Sequence, residues 1–368
     1  MESNFKVKIF RALILTSGLT LWTWSFSQVC AQSLSRDTLR YPQEKHLRNV
    51  RQLTFGGDNA EAYFSFDGQK IVFQSNYKAW GLECDQIFYF ELQQGDMSQV
   101  RPKMISTSHG RTTCSYFMPG DTTILYASTH LGGMACPAVP PRQGGKYVWQ
   151  VHPDYDIFVA DLNGNIVKRL TKTKGYDAEA TVSPKGDKIV FTSMRSGDLD
   201  LWVMNIDGSK PRRITRQLGY DGGAFFSPDG SQIVFRASRP KTRQEIKEYK
   251  QLLKKGLVQP TEMEIFICNA DGSNLRQVTR LGKANWAPFF HPSGKKVLFS
   301  SNHASQRGFQ FNIYMVDLQT GQLEQITYDP VFDSFPMFSP DGKKLIFSSN
   351  RNNKGTRDTN LFIADWVE

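Results

Sequence analysis

The sequence has 368 residues, 12% of them aromatic, and a formal charge of +10 at neutral pH spread along the chain without a basic block. That dilution argues against a nucleic-acid partner and for solubility or attraction to an anionic envelope surface. Length alone would allow two or three domains, but an all-β repeat fold accommodates such a chain as one.

At the N-terminus Lys6, Lys8 and Arg11 precede an apolar stretch from Ala12 to Phe26, and Val29-Cys30-Ala31 follows at the spacing of a signal-peptidase site. Residues 1–31 are therefore read as a signal peptide cleaved after Ala31, and the protein as periplasmic or otherwise exported. The stretch is short and broken by Thr, Ser and Gly, which weakens a retained membrane helix. A lipoprotein cysteine at Cys30 is a minor alternative, because Ser27-Gln28-Val29 lacks the small residue needed just before it. Residues 32–49 are polar and read as a linker.

From residue 50 to 368 one unit recurs six times. Its turn stands at Phe64-Ser65-Phe66-Asp67-Gly68, Phe117-Met118-Pro119-Gly120-Asp121, Val182-Ser183-Pro184-Lys185-Gly186, Phe226-Ser227-Pro228-Asp229-Gly230, Phe290-His291-Pro292-Ser293-Gly294 and Phe338-Ser339-Pro340-Asp341-Gly342. Proline gives no amide hydrogen to a ladder and so ends a strand. Gly accepts the positive φ that closes the turn. β-Branched runs such as Lys188-Ile189-Val190-Phe191 follow, making each turn the tip of a hairpin. A third strand comes next, as in Asp200-Leu201-Trp202-Val203, then an Asp-Gly type turn and a short strand ending in Leu-Thr or Ile-Thr, such as Arg213-Ile214-Thr215.

Four antiparallel strands repeated six times predict an all-β, six-bladed propeller. The last unit stops after its third strand, Asn360 to Asp365, while a spare Leu-Thr strand, Val50-Arg51-Gln52-Leu53-Thr54, precedes the first hairpin. The N-terminal strand is therefore expected to complete blade six and close the ring, leaving no open edge. Surplus length in blades one, two and four falls between second and third strands, on the rim that also carries the blade crossings. In blade four, Thr242-Arg243-Gln244-Glu245 is a capping box and Ile246, Tyr249, Leu252 and Leu253 form an apolar stripe, so a short helix is expected over about 242–256. In blade two, residues 131–155 form a long loop rich in Gly and Pro, a candidate lid or ligand contact.

Two sets of residues mark the elaborated rim as a candidate ligand site. Six positions before each repeat's Ser stand Asn59, Thr112, Asp177, Asp221, Asn285 and Asp333; just after each second strand stand Tyr77, His130, Arg195, Arg239, His303 and Arg351. A ring of carboxylates and amides at a channel mouth could bind a cation, a sugar or a partner's basic group. Alternatively, Asp and Asn satisfy backbone groups at the blade crossings, with the cationic set forming an ion-pair belt. Four cysteines remain after cleavage. Cys268 sits in a third strand as a buried apolar thiol; Cys84, Cys114 and Cys136 fall in blades one and two, and Cys84 with Cys136 is the first disulfide to consider, though spacing does not fix it. No Gly-x-Ser-x-Gly elbow, His-Glu-x-x-His helix or paired Cys-x-x-Cys occurs. No cofactor, metal or catalytic group is expected.

The units at Phe226 to Phe235 and Phe338 to Phe347, with their Leu-Thr and Ile-Thr ends, resemble the WD40-like (PD40) propeller repeat of the TolB family, and the resemblance covers residues 50–368. It implies a periplasmic six-bladed propeller that binds other proteins, here an envelope protein or lipoprotein, and the chain is read as monomeric and non-catalytic. Where TolB proper carries a folded domain before its propeller, about 18 residues lie here. Similar repeats occur in oligogalacturonate lyases, which implies the alternative of a metal-assisted enzyme on an acidic saccharide, with His130, His303, Arg195 and Arg239 as its candidate residues.

Overall fold

The computed structural model describes residues 37–92, 98, 100–306 and 308–368; the signal-peptide reading of residues 1–31 lies outside the described residues. Residues 37–368 form one compact unit. Its frame is six four-stranded antiparallel sheets arranged as the blades of a propeller. Blade three shows the minimal form, with Asp177–Val182, Lys188–Ser193, Asp200–Asn205 and Arg212–Arg213 running from the axis outward. The second strand of each blade places one aromatic ring, from Phe73, Tyr126, Phe191, Phe235, Phe299 and Phe347, wholly out of solvent between blades. Each such ring contributes about 2–3 kcal/mol of burial.

The repeated turn explains its own sequence. In blade four the Ser227 hydroxyl donates to Asp229 at 2.5 Å and accepts from the Gln232 amide at 2.9 Å, while the Gly230 amide, at φ 74°, donates to the Ser227 carbonyl. Ser65 and Ser339 repeat the pattern. The terminal Thr has an equally specific task. A hydroxyl at this place accepts the backbone N–H of the third strand at 2.9 Å in all six blades, from Ile87 to Ser106, Ile157 to Thr171, Leu201 to Thr215, Ile265 to Thr279, Ile313 to Thr327 and Leu361 to Thr54.

That last bond crosses the chain's two ends. Leu47–Gln52 pairs antiparallel with Asn360–Trp366, so the N-terminal strand is the outer strand of blade six and the ring is closed. The strand begins at Leu47, inside the segment read as linker. The residues before it are also held down. Glu44 is fully buried and its carboxylate meets Arg351 at 2.8 Å, Tyr41 lies under the same guanidinium with its hydroxyl 2.9 Å from Asp329, and Arg351 also reaches Asp333.

Candidate functional site

The first strand of every blade carries a register shift at its third residue, and that residue takes a positive φ: Glu61 at 53°, Cys114 at 46°, Glu179 at 56°, Gly223 at 58°, Ala287 at 46° and Phe335 at 56°. A bulge of this kind re-aims its side chain, at a cost in strain for the five residues that carry a Cβ. All six converge on a narrow throat of about 30 Å³ at the axis. Above the throat, on the elaborated rim, opens a cavity of about 390 Å³.

The cavity's roof comes from the two longest insertions. In the blade-two insertion Trp149–Gln150 pairs with Leu257–Val258, which follows the blade-four helix Arg243–Lys254. The Val151 amide donates to the Gly256 carbonyl at 2.7 Å, and Lys146 pairs with Glu248 at 2.7 Å. The helix is anchored below: Tyr249 is buried and its hydroxyl donates to Asp198 of blade three at 2.5 Å. A Cys84–Cys136 disulfide, with Cα atoms 5.9 Å apart, ties the other end of the blade-two insertion to blade one. Arg111 reinforces it, meeting Asp85 at 2.7 Å and the Pro137 carbonyl at 3.5 Å.

Aromatic rings make up much of the wall, from Tyr147, Trp149, Tyr155, Tyr176, Tyr220 and Trp286. Arg236 enters this wall from blade four. Its guanidinium lies over the rings of Trp149 and Tyr220, donates to the Tyr220 hydroxyl at 2.8 Å and meets Glu179 at 2.7 Å. The space it fills exists because position 223 is glycine, where an added Cβ would fall 1.9 Å from Arg236 Nη1. Glu179 also accepts from the Gly223 amide and the Thr192 hydroxyl, both at 2.8 Å, and from the Tyr220 hydroxyl. Within this network Arg236 Nε is left without a hydrogen-bond partner. Glu61 is different: it lines both cavity and throat, burial raises its carboxyl above the ordinary pKa with nearby Glu179 adding to the effect, and Cys114 is its hydrogen-bonding neighbour.

The residues singled out from sequence lie at the blade crossings. Asn59, Thr112, Asp177, Asp221, Asn285 and Asp333 are at most 1% exposed, buried at the blade crossings. Asn59 donates to the carbonyls of Gly56 and Thr359, Asn285 to that of Met263, and Thr112 to that of Asp85. The carboxylates meet the cationic set: Arg195 reaches Asp177 at 2.8 Å, Arg239 reaches Asp221, and Arg351 reaches Asp333 at 3.1 Å. His130 and His303 repeat one contact each, Nδ1 lying 2.9 Å from Ser128 and Ser301, with their rings against Phe158 and Tyr314. Burial dominates the electrostatics here, pushing Asp177 up to about 6 and Asp221 up to about 7. These contacts lie in the seams between blades. Of the six ring residues Thr112 alone reaches the cavity wall. Among the described residues no group of three or more His, Cys, Asp or Glu is placed to hold a metal ion.

A closed ring of six four-stranded blades, with an axial throat and a roofed cavity on one rim, defines a six-bladed β-propeller. The family model described as the TolB beta propeller domain matches residues 134–256 and 257–356, more than half of the chain, and the chain belongs to that family. Its fold is similar to that of a candidate TolB from Agrobacterium tumefaciens, at 20% identity and a TM-score of 0.54, covering 85% of this chain and 91% of that one. TolB from Acinetobacter baumannii matches at 17% identity and a TM-score of 0.50, covering 85% and 64%. An oligogalacturonate lyase in complex with manganese matches at 16% identity, covering 87% and 93%, but its TM-score of 0.47 is too low for anything functional to carry over. No curated protein matches the sequence.

Proposed function

We propose that this chain is an exported, non-catalytic binding protein that engages a protein of the cell envelope, such as a lipoprotein, through the roofed cavity and its rim. The observation that carries the reading is the cavity itself: two insertions from separate blades are spent on building one concave, aromatic-walled space over the throat. Aromatic residues with a few placed polar groups are the usual make-up of a recognition pocket. Around it the surface is unusually apolar for exposed loops, with Leu131, Met134 and Val139 of the blade-two insertion exposed by 57%, 68% and 76%. Phe55, Phe309 and Val331, in other loops of the same rim, are exposed too. Exposed apolar groups gathered on one face mark interaction surfaces. The sequence pattern of residues 1–31, read as an export signal, and the family support an envelope setting.

The test is cross-linking capture from the source cell's envelope with the native chain and with Val139→Arg, a substitution at an exposed loop that leaves the fold alone. Enrichment of one protein by the native chain and its loss with Val139→Arg supports the reading. Equal capture of background by both refutes it.

A further inference from the structure

The charges that line the cavity cancel in pairs, save one. Arg111 is matched by Asp85 and Arg236 by Glu179, at 2.7 Å each. Among the described residues Glu61 forms no ion pair, although Arg236 lies near enough to act on its charge, and its Oε2 is sealed from solvent without a hydrogen bond. A carboxylate without an ion pair in such a place is costly: burial favours its neutral form, and a cation brought from outside would favour its charged form. It sits at the foot of a space walled by Tyr, Trp and Phe rings, whose faces attract cations. Arg236, only 8% exposed, keeps its Nε–H unpartnered in the same wall. The protein thus leaves one anionic acceptor and one donor open.

We propose that the cavity is a receptor for a lysine or arginine side chain carried by a partner protein, its cation seated on Glu61 among the aromatic rings. The inference rests on the protein-binding reading given above and names what that partner must present. A free amine would meet Glu61 equally well, but it would leave the exposed apolar groups of Val139 and Tyr147 at the cavity bare and offer no carbonyl to Arg236. A basic residue flanked by apolar ones on a peptide answers all three features. The bulge at Glu61 fits the same account: with φ at 53° the backbone is held in a conformation unfavourable for glutamate, and what it achieves is to turn that carboxylate toward the axis.

The probes are acetyl-Leu-Lys-Leu-amide, its norleucine counterpart and n-butylamine, titrated into the whole chain with calorimetry and with the fluorescence of Trp149 and Trp286 as readouts. The lysine peptide is expected to bind at least about tenfold more tightly than either of the others, as a charge-assisted contact in a desolvated site should. Glu61→Gln should erase the preference for lysine over norleucine, with the thermal melt checking its fold. Val139→Arg, which sets a competing cation at the mouth, should weaken the lysine peptide without touching the interior. A preference that survives Glu61→Gln, or no preference at all, overturns the inference; butylamine binding as tightly as the lysine peptide overturns its protein-borne source. If Glu61→Gln captures the same envelope partner as the native chain, the cation inference falls while the binding reading stands. If neither captures one, the parent reading falls.

Discussion

The hydrogen bond that closes the ring can be removed one atom at a time. In Thr54→Val the shape is kept, but the hydroxyl that accepts the Leu361 amide at 2.9 Å is gone, and Leu361 is fully buried, so the amide finds no water. A buried donor left unsatisfied costs about 1–3 kcal/mol, and about 2 is the central expectation. The unit from Asp37 to Glu368 unfolds with an entropy near 0.7 kcal/mol/K, taking about 2.1 cal/mol/K per residue, so Tm should fall by roughly 3 °C. Thr171→Val, Thr215→Val, Thr279→Val and Thr327→Val remove the same bond from other blades and should cost similar amounts. What sets Thr54 apart is that its strand is joined to blade six by pairing alone and not by a chain connection, so hydrogen exchange at Leu361 should accelerate more than at Leu201 in Thr215→Val. Calorimetric melts within 1 °C of the native value for Thr54→Val would refute the reasoning, and equal exchange in the two variants would refute the special role of the seam.

Three other expectations follow from the geometry. Burial raises Asp221 from its ordinary value to about 7, so its protonated form is favoured in the fold; that contribution is fully present below pH 4 and is lost as pH rises through about 7, and denaturant titrations from pH 5 to 8 should show native stability falling more steeply than that of Asp221→Asn. Cutting the Cys84–Cys136 link, which closes a loop with a separation of 52 residues, should cost about 4 kcal/mol by chain entropy; the native melt should drop on reduction while that of Cys84→Ser/Cys136→Ser is indifferent to reductant. Glu44→Ala leaves Arg351 with Asp333 as its remaining anionic partner, should cost about 2–3 kcal/mol, and should free the segment before Leu47, so that trypsin cuts at Arg40 or Lys45 faster than in the native chain.

The sequence carries most of the frame because the frame is made of local chemistry repeated. Ser227, Pro228, Asp229 and Gly230 each have a task inside one turn, and Thr215 one inside one blade, so their spacing is readable without knowing the ring. The site is less readable. The fixed spacing before the repeat's Ser pointed to Asp177 and Asp221 as mouth residues, but the bulge that follows them turns Glu179 and Gly223 to the axis, and no residue type announces it. Glutamate, cysteine, alanine and phenylalanine are not the residues expected at positive φ. One clue was present: position after position of the repeat is conservative, while this one runs Glu, Cys, Glu, Gly, Ala, Phe. The pairing of Trp149–Gln150 with Leu257–Val258 and the contact of Glu44 with Arg351, 307 residues apart, join segments whose proximity only the closed ring creates.

The joined insertions also give the ring a mechanical asymmetry. They strap blade two to blade four across blade three, through Lys146 and Glu248 on top and Tyr249 on Asp198 beneath. The seam where the two chain ends meet lies in blade six, on the far side. A circle clasped on one side and buckled on the other yields at the buckle, so a force or ligand that spreads the axis would open blade six first and leave the aromatic half of the cavity standing.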